Sequence, residues 1–172
     1  MNYLINKDFS FEHISKSKLL KIAYIVNPTQ KRMVRFGKIE KNLLEEAILK
    51  KTREKVLISI MLTDDKTMSY LNLKWRKKRK PTNILSFPTQ QKFFYEKRLF
   101  LGDLAISNKK IFEEAKTKRI KPEDHFRHLL LHGTLHLIGY NHTKEGDAFI
   151  MENLEIEILK KFKIKNPYLH NL

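Results

Sequence analysis

The chain contains no cysteine. Disulfides, thiolate metal ligands and thiol nucleophiles are thereby excluded, and the absence suits a reducing compartment without demonstrating one. Glycine and proline are scarce, five of each in 172 residues, and there is no low-complexity run or internal repeat. Such a composition argues against a disordered linker protein. No apolar run reaches the roughly 18 residues of a membrane span. Asn2-Tyr3-Leu4-Ile5-Asn6-Lys7-Asp8 lacks the hydrophobic core of a signal peptide, so the expected location is cytoplasmic. Acidic residues are also few, 19 against 35 lysines and arginines, which leaves a net charge of +16. A surplus of that size favours polyanionic partners, because lysines near phosphates gain by releasing condensed counterions. Compositional bias alone could place any single lysine. A membrane surface is disfavoured, since no helix combines a basic face with a bulky apolar one.

What is present in this background is histidine, concentrated in Leu131-His132-Gly133-Thr134-Leu135-His136-Leu137-Ile138-Gly139-Tyr140-Asn141-His142. His132 and His136 stand one helical turn apart in an apolar, helix-compatible run, so both imidazoles share a face. Gly139 lies where a helix would end in a left-handed conformation. The chain can then turn back and bring in His142. Three imidazoles with one position left open are the arrangement of a catalytic rather than a structural zinc site. Nickel or another divalent transition metal would also bind such nitrogens. A histidine in a helix is more often a hydrogen-bonded side chain, but a third one beyond a glycine turn weakens that reading. His128 lies on the same stripe, yet residues 128, 132 and 136 span about 12 Å of helix axis. One ion cannot touch all three, so His128 is expected to line the groove or support a ligand. Metalloproteases with this spacing carry Glu directly after the first His as general base. Gly133 occupies that position, and the peptidase reading loses its base.

The length suits one domain with a single core. Residues 1–18 read as an N-terminal extension and 19–172 as the domain. Alternation of Ile22, Tyr24 and Val26 predicts a strand over 19–26, ended by Asn27-Pro28. Ile39, Leu43, Leu44, Ala47 and Ile48 predict a surface helix over 39–52, and 56–62 is a β-leaning run. Thr63, Asp64 and Asp65 offer caps for a helix to Arg76 that carries Met68, Leu71 and Trp75 inward. The basic run that follows, to Lys80, is a solvated patch or a grip on a nucleic-acid backbone. Strands are expected at 84–87 and 99–106, joined by an exposed connection in which Phe93, Phe94 and Tyr95 either pack beneath or stack on bases. Ser107 is the expected N-cap of a helix to Lys118. Pro122, Glu123 and Asp124 suit the first turn of the histidine helix, and Met151, Leu154, Ile158 and Phe162 mark a last amphipathic helix. The fold class expected is α+β, a mixed sheet of about four strands with helices packed on it. The histidine helix would form one wall of a cleft. Strand order and oligomeric state are not readable.

The segment from His132 to His142 resembles the signature of the YbeY family of metal-dependent endoribonucleases, His-Gly-x-Leu-His-Leu-x-Gly-Tyr-Asp-His, with Asn141 at the Asp position. Leu71-Asn72, Trp75-Arg76 and Pro81-Thr82-Asn83-Ile84-Leu85-Ser86-Phe87-Pro88 are similar to a second family block, in which Arg76 matches a functionally implicated arginine and Asn83 again stands for Asp. Leu101-Gly102-Asp103-Leu104 and Met151-Glu152, Glu155, Ile158-Leu159 extend the likeness over about residues 19–162. The resemblance implies a single-strand-specific endoribonuclease that matures the 3′ end of 16S rRNA, serves ribosome quality control, and contacts the small subunit and its assembly factors.

On chemistry alone, zinc held by His132, His136 and His142 would lower the pKa of water from about 15.7 to about 7. Arg76 is the candidate to clamp the scissile phosphate, since a guanidinium stays charged and pairs bidentately. Competing readings are a ribosome-assembly protein with a merely structural metal, and a metallohydrolase of another substrate. An Asp at 141 could orient a ligand imidazole; Asn keeps its hydrogen bonding and loses its charge.

Overall fold

The computed structural model describes residues 10–13, 19–26 and 33–169. Of the expected extension, 1–9 and 14–18 lie outside the described residues, as does the Asn27-Pro28 stop.

A mixed sheet forms the centre. Its strands are β1 (Ser10–His13), β2 (Leu20–Val26), β3 (Val56–Thr63), β4 (Ile84–Pro88), β5 (Phe94–Tyr95) and β6 (Arg98–Ser107). They lie in the order β1-β2-β3-β6-β4, with β5 paired to β6 off this path. β2, β3 and β6 run parallel, whereas β1, β4 and β5 join antiparallel. The four strands expected from residue patterning are β2, β3, β4 and β6. β1 adds an edge strand within the N-terminal stretch. β5 and the start of β6 make a hairpin turning through Glu96 and Lys97, both at positive φ (47° and 60°). That is the geometry of a primed two-residue turn, built here without the Asn-Gly pair that signals it.

The two faces of the sheet are unequal. Ile58, Ile60, Leu62, Ile84, Leu104 and Ile106 project into the main core, while Met61, Leu85 and Ala105 project into a smaller cluster on the other side. The alternation is the period of two that a pleated strand imposes. Over the main face lie α1 (Lys38–Leu49) and α4 (Pro122–Leu137), with α5 (Glu145–Lys161) packed against both. α3 (Asn108–Lys118) flanks α4. Leu43, Leu44, Ala47 and Ile48 of α1 are buried, as their spacing predicts. The minor face is covered by α2 (Asp65–Arg76) through Met68 and Leu71.

The expected caps form. Asp64 accepts from the Thr67 amide at 2.8 Å and Ser107 from the Lys110 amide at 3.1 Å. Trp75 corrects the expectation that it points inward: it is 46% exposed. The last turn of α2 sits beside the edge strand β4, so the ring meets Phe87 edge-on at 5.8 Å between centroids and lies under the Lys74 ammonium, 5.5 Å from its centroid. Helical phase put Trp75 on the apolar stripe, but the sheet does not extend beneath it.

Candidate metal centre

α4 approaches the sheet more closely than a side chain at residue 133 would permit. A Cβ on Gly133 would stand 2.6 Å from Ile84 Cδ1, 2.8 Å from Leu104 Cδ2 and 3.2 Å from Ser86 Oγ. The glycine is thus required by packing, and the Glu of a metalloprotease has no room there. With that side of the helix pressed on β4 and β6, His128, His132 and His136 fall on a stripe turned toward α5.

The helix then ends as Gly139 allows. Its φ is +96°, the Tyr140 amide donates to the Leu135 carbonyl at 3.0 Å, and the Gly139 amide donates to the His136 carbonyl at 3.1 Å. This reciprocal pair is a Schellman closure. It reverses the chain, and Asn141 tightens the bend by accepting from the Thr143 amide at 3.2 Å and the Thr143 hydroxyl at 3.0 Å. His142, bracketed by that turn, comes back over the helix end. Its ring centroid lies 5.3 Å from that of His132 and 4.9 Å from that of His136. One ligating atom from each of the three histidines lies within 4.8 Å of the others.

Hydrogen bonds fix which nitrogens face inward. His132 Nδ1 is 3.0 Å from Glu155 Oε1, and His136 Nδ1 is 3.0 Å from the Tyr140 carbonyl oxygen. A carbonyl can only accept, and the Glu155 carboxyl is held ionised, so both Nδ1 atoms carry the proton. Both Nε2 atoms therefore present lone pairs, and they stand 3.1 Å apart. Two converging lone pairs repel unless a cation or proton lies between them. Two imidazole nitrogens on a tetrahedral ion, each at about 2.0–2.1 Å, would be about 3.3 Å apart, so the donor set fits a metal. Burial holds His136 below its usual pKa, with His132 reinforcing the shift, which favours the neutral ligating form.

Glu155 is the residue that the sequence reading left without a role. It comes from α5, its side chain is fully buried, and it accepts from His132, from His128 Nε2 at 2.9 Å and from the Tyr168 hydroxyl at 2.5 Å. Burial pushes its carboxyl up, but the hydrogen bonds from His128 and His132 prevail and hold it at about 2. Burial and the Glu155 carboxylate push the Tyr168 phenol up, keeping it a donor. His128 lies on the helix stripe with His132 and His136 and is hydrogen-bonded to Glu155, the carboxylate that also holds His132. Together with His128 and His132, Glu155 forms a second group able to approach one ion. Its donors already engage it as an orienting carboxylate of the kind that raises imidazole basicity. A further relay lies deeper, where buried His125 Nε2 meets Glu114 Oε2 at 2.7 Å, and Asn83 Nδ2 donates to the same oxygen at 3.1 Å.

Arg76 stands apart from this cluster. It is the last residue of α2 and lines a cleft of about 850 Å³ with Leu71, Trp75, Phe87, Phe93 and Asp103, a lining that includes none of the three histidines. Its guanidinium makes no hydrogen bond or ion pair to any described residue. Ser86 links the two places, since it lines the cleft while its hydroxyl faces Gly133 of α4.

A family model described as Endoribonuclease YbeY matches residues 24–163. The chain is 43% identical over 115 residues to a protein named Endoribonuclease YbeY from Ehrlichia canis, covering 67% of this chain and 73% of that one. It is 46% identical over 112 residues to the protein of that name from Bartonella quintana, covering 64% and 71% respectively. Among solved structures, the solution structure of a Thermotoga maritima protein aligns with a TM-score of 0.52 over 84% of this chain and 92% of that one. At 20% identity, that likeness is one of fold.

Proposed function

The chain belongs to the YbeY endoribonuclease family, and on that premise we propose that it is a zinc-dependent, single-strand-specific endoribonuclease acting in ribosome biogenesis, on the 3′ end of 16S rRNA and in ribosome quality control. The observation that carries the reading is the pair of Nε2 lone pairs converging at 3.1 Å beside His142. In this proposal His132, His136 and His142 hold one divalent ion, with zinc favoured by three neutral nitrogens and nickel compatible with them. Such an ion supplies a Lewis acid for the phosphodiester and acidifies water at neutral pH.

The chain's own residues do the rest. Glu155 and the Tyr140 carbonyl keep the protons of His132 and His136 on Nδ1, so the inward nitrogens stay available. Arg76 is the proposed phosphate clamp, its guanidinium free to take two phosphate oxygens in one plane and to offset charge that builds there. The net charge of +16 supplies long-range attraction for the RNA. Ribosomal small-subunit and assembly-factor partners follow from the family reading. None of the described helices is long and apolar enough to cross a membrane.

The deciding experiment incubates the metal-loaded protein with single-stranded and double-stranded RNA. Cleavage of the single strand, stopped by chelator and absent in His136→Ala, is expected. Bound metal without cleavage would return the protein to a structural role in ribosome assembly. Arg76→Ala should lose turnover and retain its metal; loss of the metal with it would refute the clamp.

A further inference from the structure

The chain that follows α5 folds back onto the histidine helix. Lys163 takes a positive φ of 58°, its amide donates to the Lys160 carbonyl at 3.0 Å, and the Ile164 amide donates to the Leu159 carbonyl at 3.1 Å. This closure turns the chain, and Ile164 is buried in the main core just past it. Asn166 then accepts the Tyr168 amide on its side-chain oxygen at 2.9 Å, a local turn that sets the direction of the tyrosine. The Tyr168 ring meets His128 edge-on at 5.7 Å between centroids, and its hydroxyl donates to Glu155 Oε2 at 2.5 Å.

The two oxygens of Glu155 divide their donors. Oε1 meets His132 Nδ1 at 3.0 Å, while Oε2 meets His128 Nε2 at 2.9 Å and the tyrosine hydroxyl at the shortest distance of the three. A hydroxyl on a carboxylate at that distance is a charge-assisted bond, stronger than a neutral one. His128 is a weaker anchor, because its Nδ1 is buried without a hydrogen-bond partner and the ring is pinned at one nitrogen. Packing against His128 asks only for an aromatic ring at 168, and a phenylalanine would supply it without a hydroxyl to satisfy. Two donors on Oε2 fix the rotation of the carboxylate and leave Oε1 turned to His132. Resting on the metal reading above, we propose that Tyr168 is a positioning residue of the metal centre, whose hydroxyl holds the Glu155 carboxylate so that His132 keeps its proton on Nδ1 and turns Nε2 to the ion. Coupling of this kind is reciprocal, so an ion on His132 also holds residues 164–168 in place.

The test compares the full chain with Tyr168→Phe, which keeps the ring and removes only the donor. Zinc affinity is read by competition with a chromophoric chelator, and exchange of the residue 168 amide is followed by NMR with zinc and in chelator. Tyr168→Phe should bind zinc roughly 3- to 10-fold more weakly, less than the 10- to 100-fold cost of losing a group that touches the ligand itself. In a Glu155→Gln background the same substitution should add nothing, because its effect runs through the carboxylate. Zinc should slow exchange of the amide at 168 in the parent and not in Tyr168→Phe. Ile48→Val, a trim of the buried face of α1, should lower the melting temperature and leave zinc affinity as it is. Tyr168→Phe with parental zinc affinity, a full extra loss in the Glu155→Gln background, or an equal loss in Ile48→Val overturns the positioning role. If the parent binds zinc, His136→Ala does not, and Tyr168→Phe matches the parent, only this inference falls; if the parent binds no divalent metal, the metal reading falls with it.

Discussion

Replacing Glu155 by Gln changes one atom's chemistry and almost no volume, and it should affect both metal affinity and stability. The carboxylate now takes three hydrogen bonds on two oxygens, from His132, His128 and Tyr168. A glutamine offers one oxygen and turns its NH2 toward at least one donor. If that donor is His132, the imidazole must move its proton to Nε2, the atom that should ligate. Loss of such an orienting partner typically costs about 10- to 100-fold in metal affinity. The stability cost follows from linkage. The folded carboxyl titrates at about 2 against 4.5 for a free one. That difference corresponds to about 3 kcal/mol favouring the ionised form.

Because the folded pKa is the depressed one, this contribution is fully present above pH 4.5 and is lost as pH falls toward 2. Metal-free Glu155→Gln should therefore melt roughly 6–12 °C below the parent at neutral pH. The gap should close as the solution is acidified through that window. Thermal melts in chelator at several pH values, with zinc affinity from competition against a chromophoric chelator, measure both effects. A variant with unchanged melting temperature and unchanged zinc affinity would refute the orienting role of Glu155.

Further outcomes are expected. Gly133→Glu should lose about 3 kcal/mol or more, because the carboxylate would be driven into Ile84 and Leu104; a cooperative melt near the parent temperature would show that the helix can lift from the sheet at little cost. Asn83→Asp should cost about 1–3 kcal/mol by placing an acid opposite Glu114, and Glu114→Gln should recover much of it, as a double-mutant cycle would reveal. Burial holds His128 and His136 below the usual 6.5. The unfolded chain therefore takes up protons that the fold refuses, and metal-free stability should fall as pH drops below that value. Denaturant midpoints that stay flat between pH 7 and 5 would contradict this.

Asn141 shows how a residue's surroundings assign its work. Its side-chain oxygen accepts twice from Thr143 and so shapes the turn that carries His142. An aspartate could accept the same two bonds. Asn83 likewise donates to Glu114, which an aspartate could not do unless protonated. The exchange at 83 is thus tied to a partner on α3, while the one at 141 is local.

Much of the molecule was legible in one dimension because its causes are local. The turn-spaced His132 and His136, the reversal at Gly139, the caps at Asp64 and Ser107 and the four main strands all depend on neighbours within a few residues. So does the conclusion that one ion cannot span His128, His132 and His136. Trp75 shows the limit of periodicity, which gives the direction of a side chain but not whether a sheet lies under it. Glu155 shows the limit of motif reading, since it meets His132 from another helix across 23 residues of chain and carries no signature of its own. Gly133 had a clear chemical meaning as the absence of a base. Its physical cause, the close seating of α4 on β4 and β6, appeared only in three dimensions. Local hydrogen bonding and side-chain periodicity determined the elements and the ligand spacing. Which nitrogen faces the candidate metal site, which carboxylate orients it and which rings stay exposed were decided by tertiary packing, because each depends on groups that the chain brings together only when it closes.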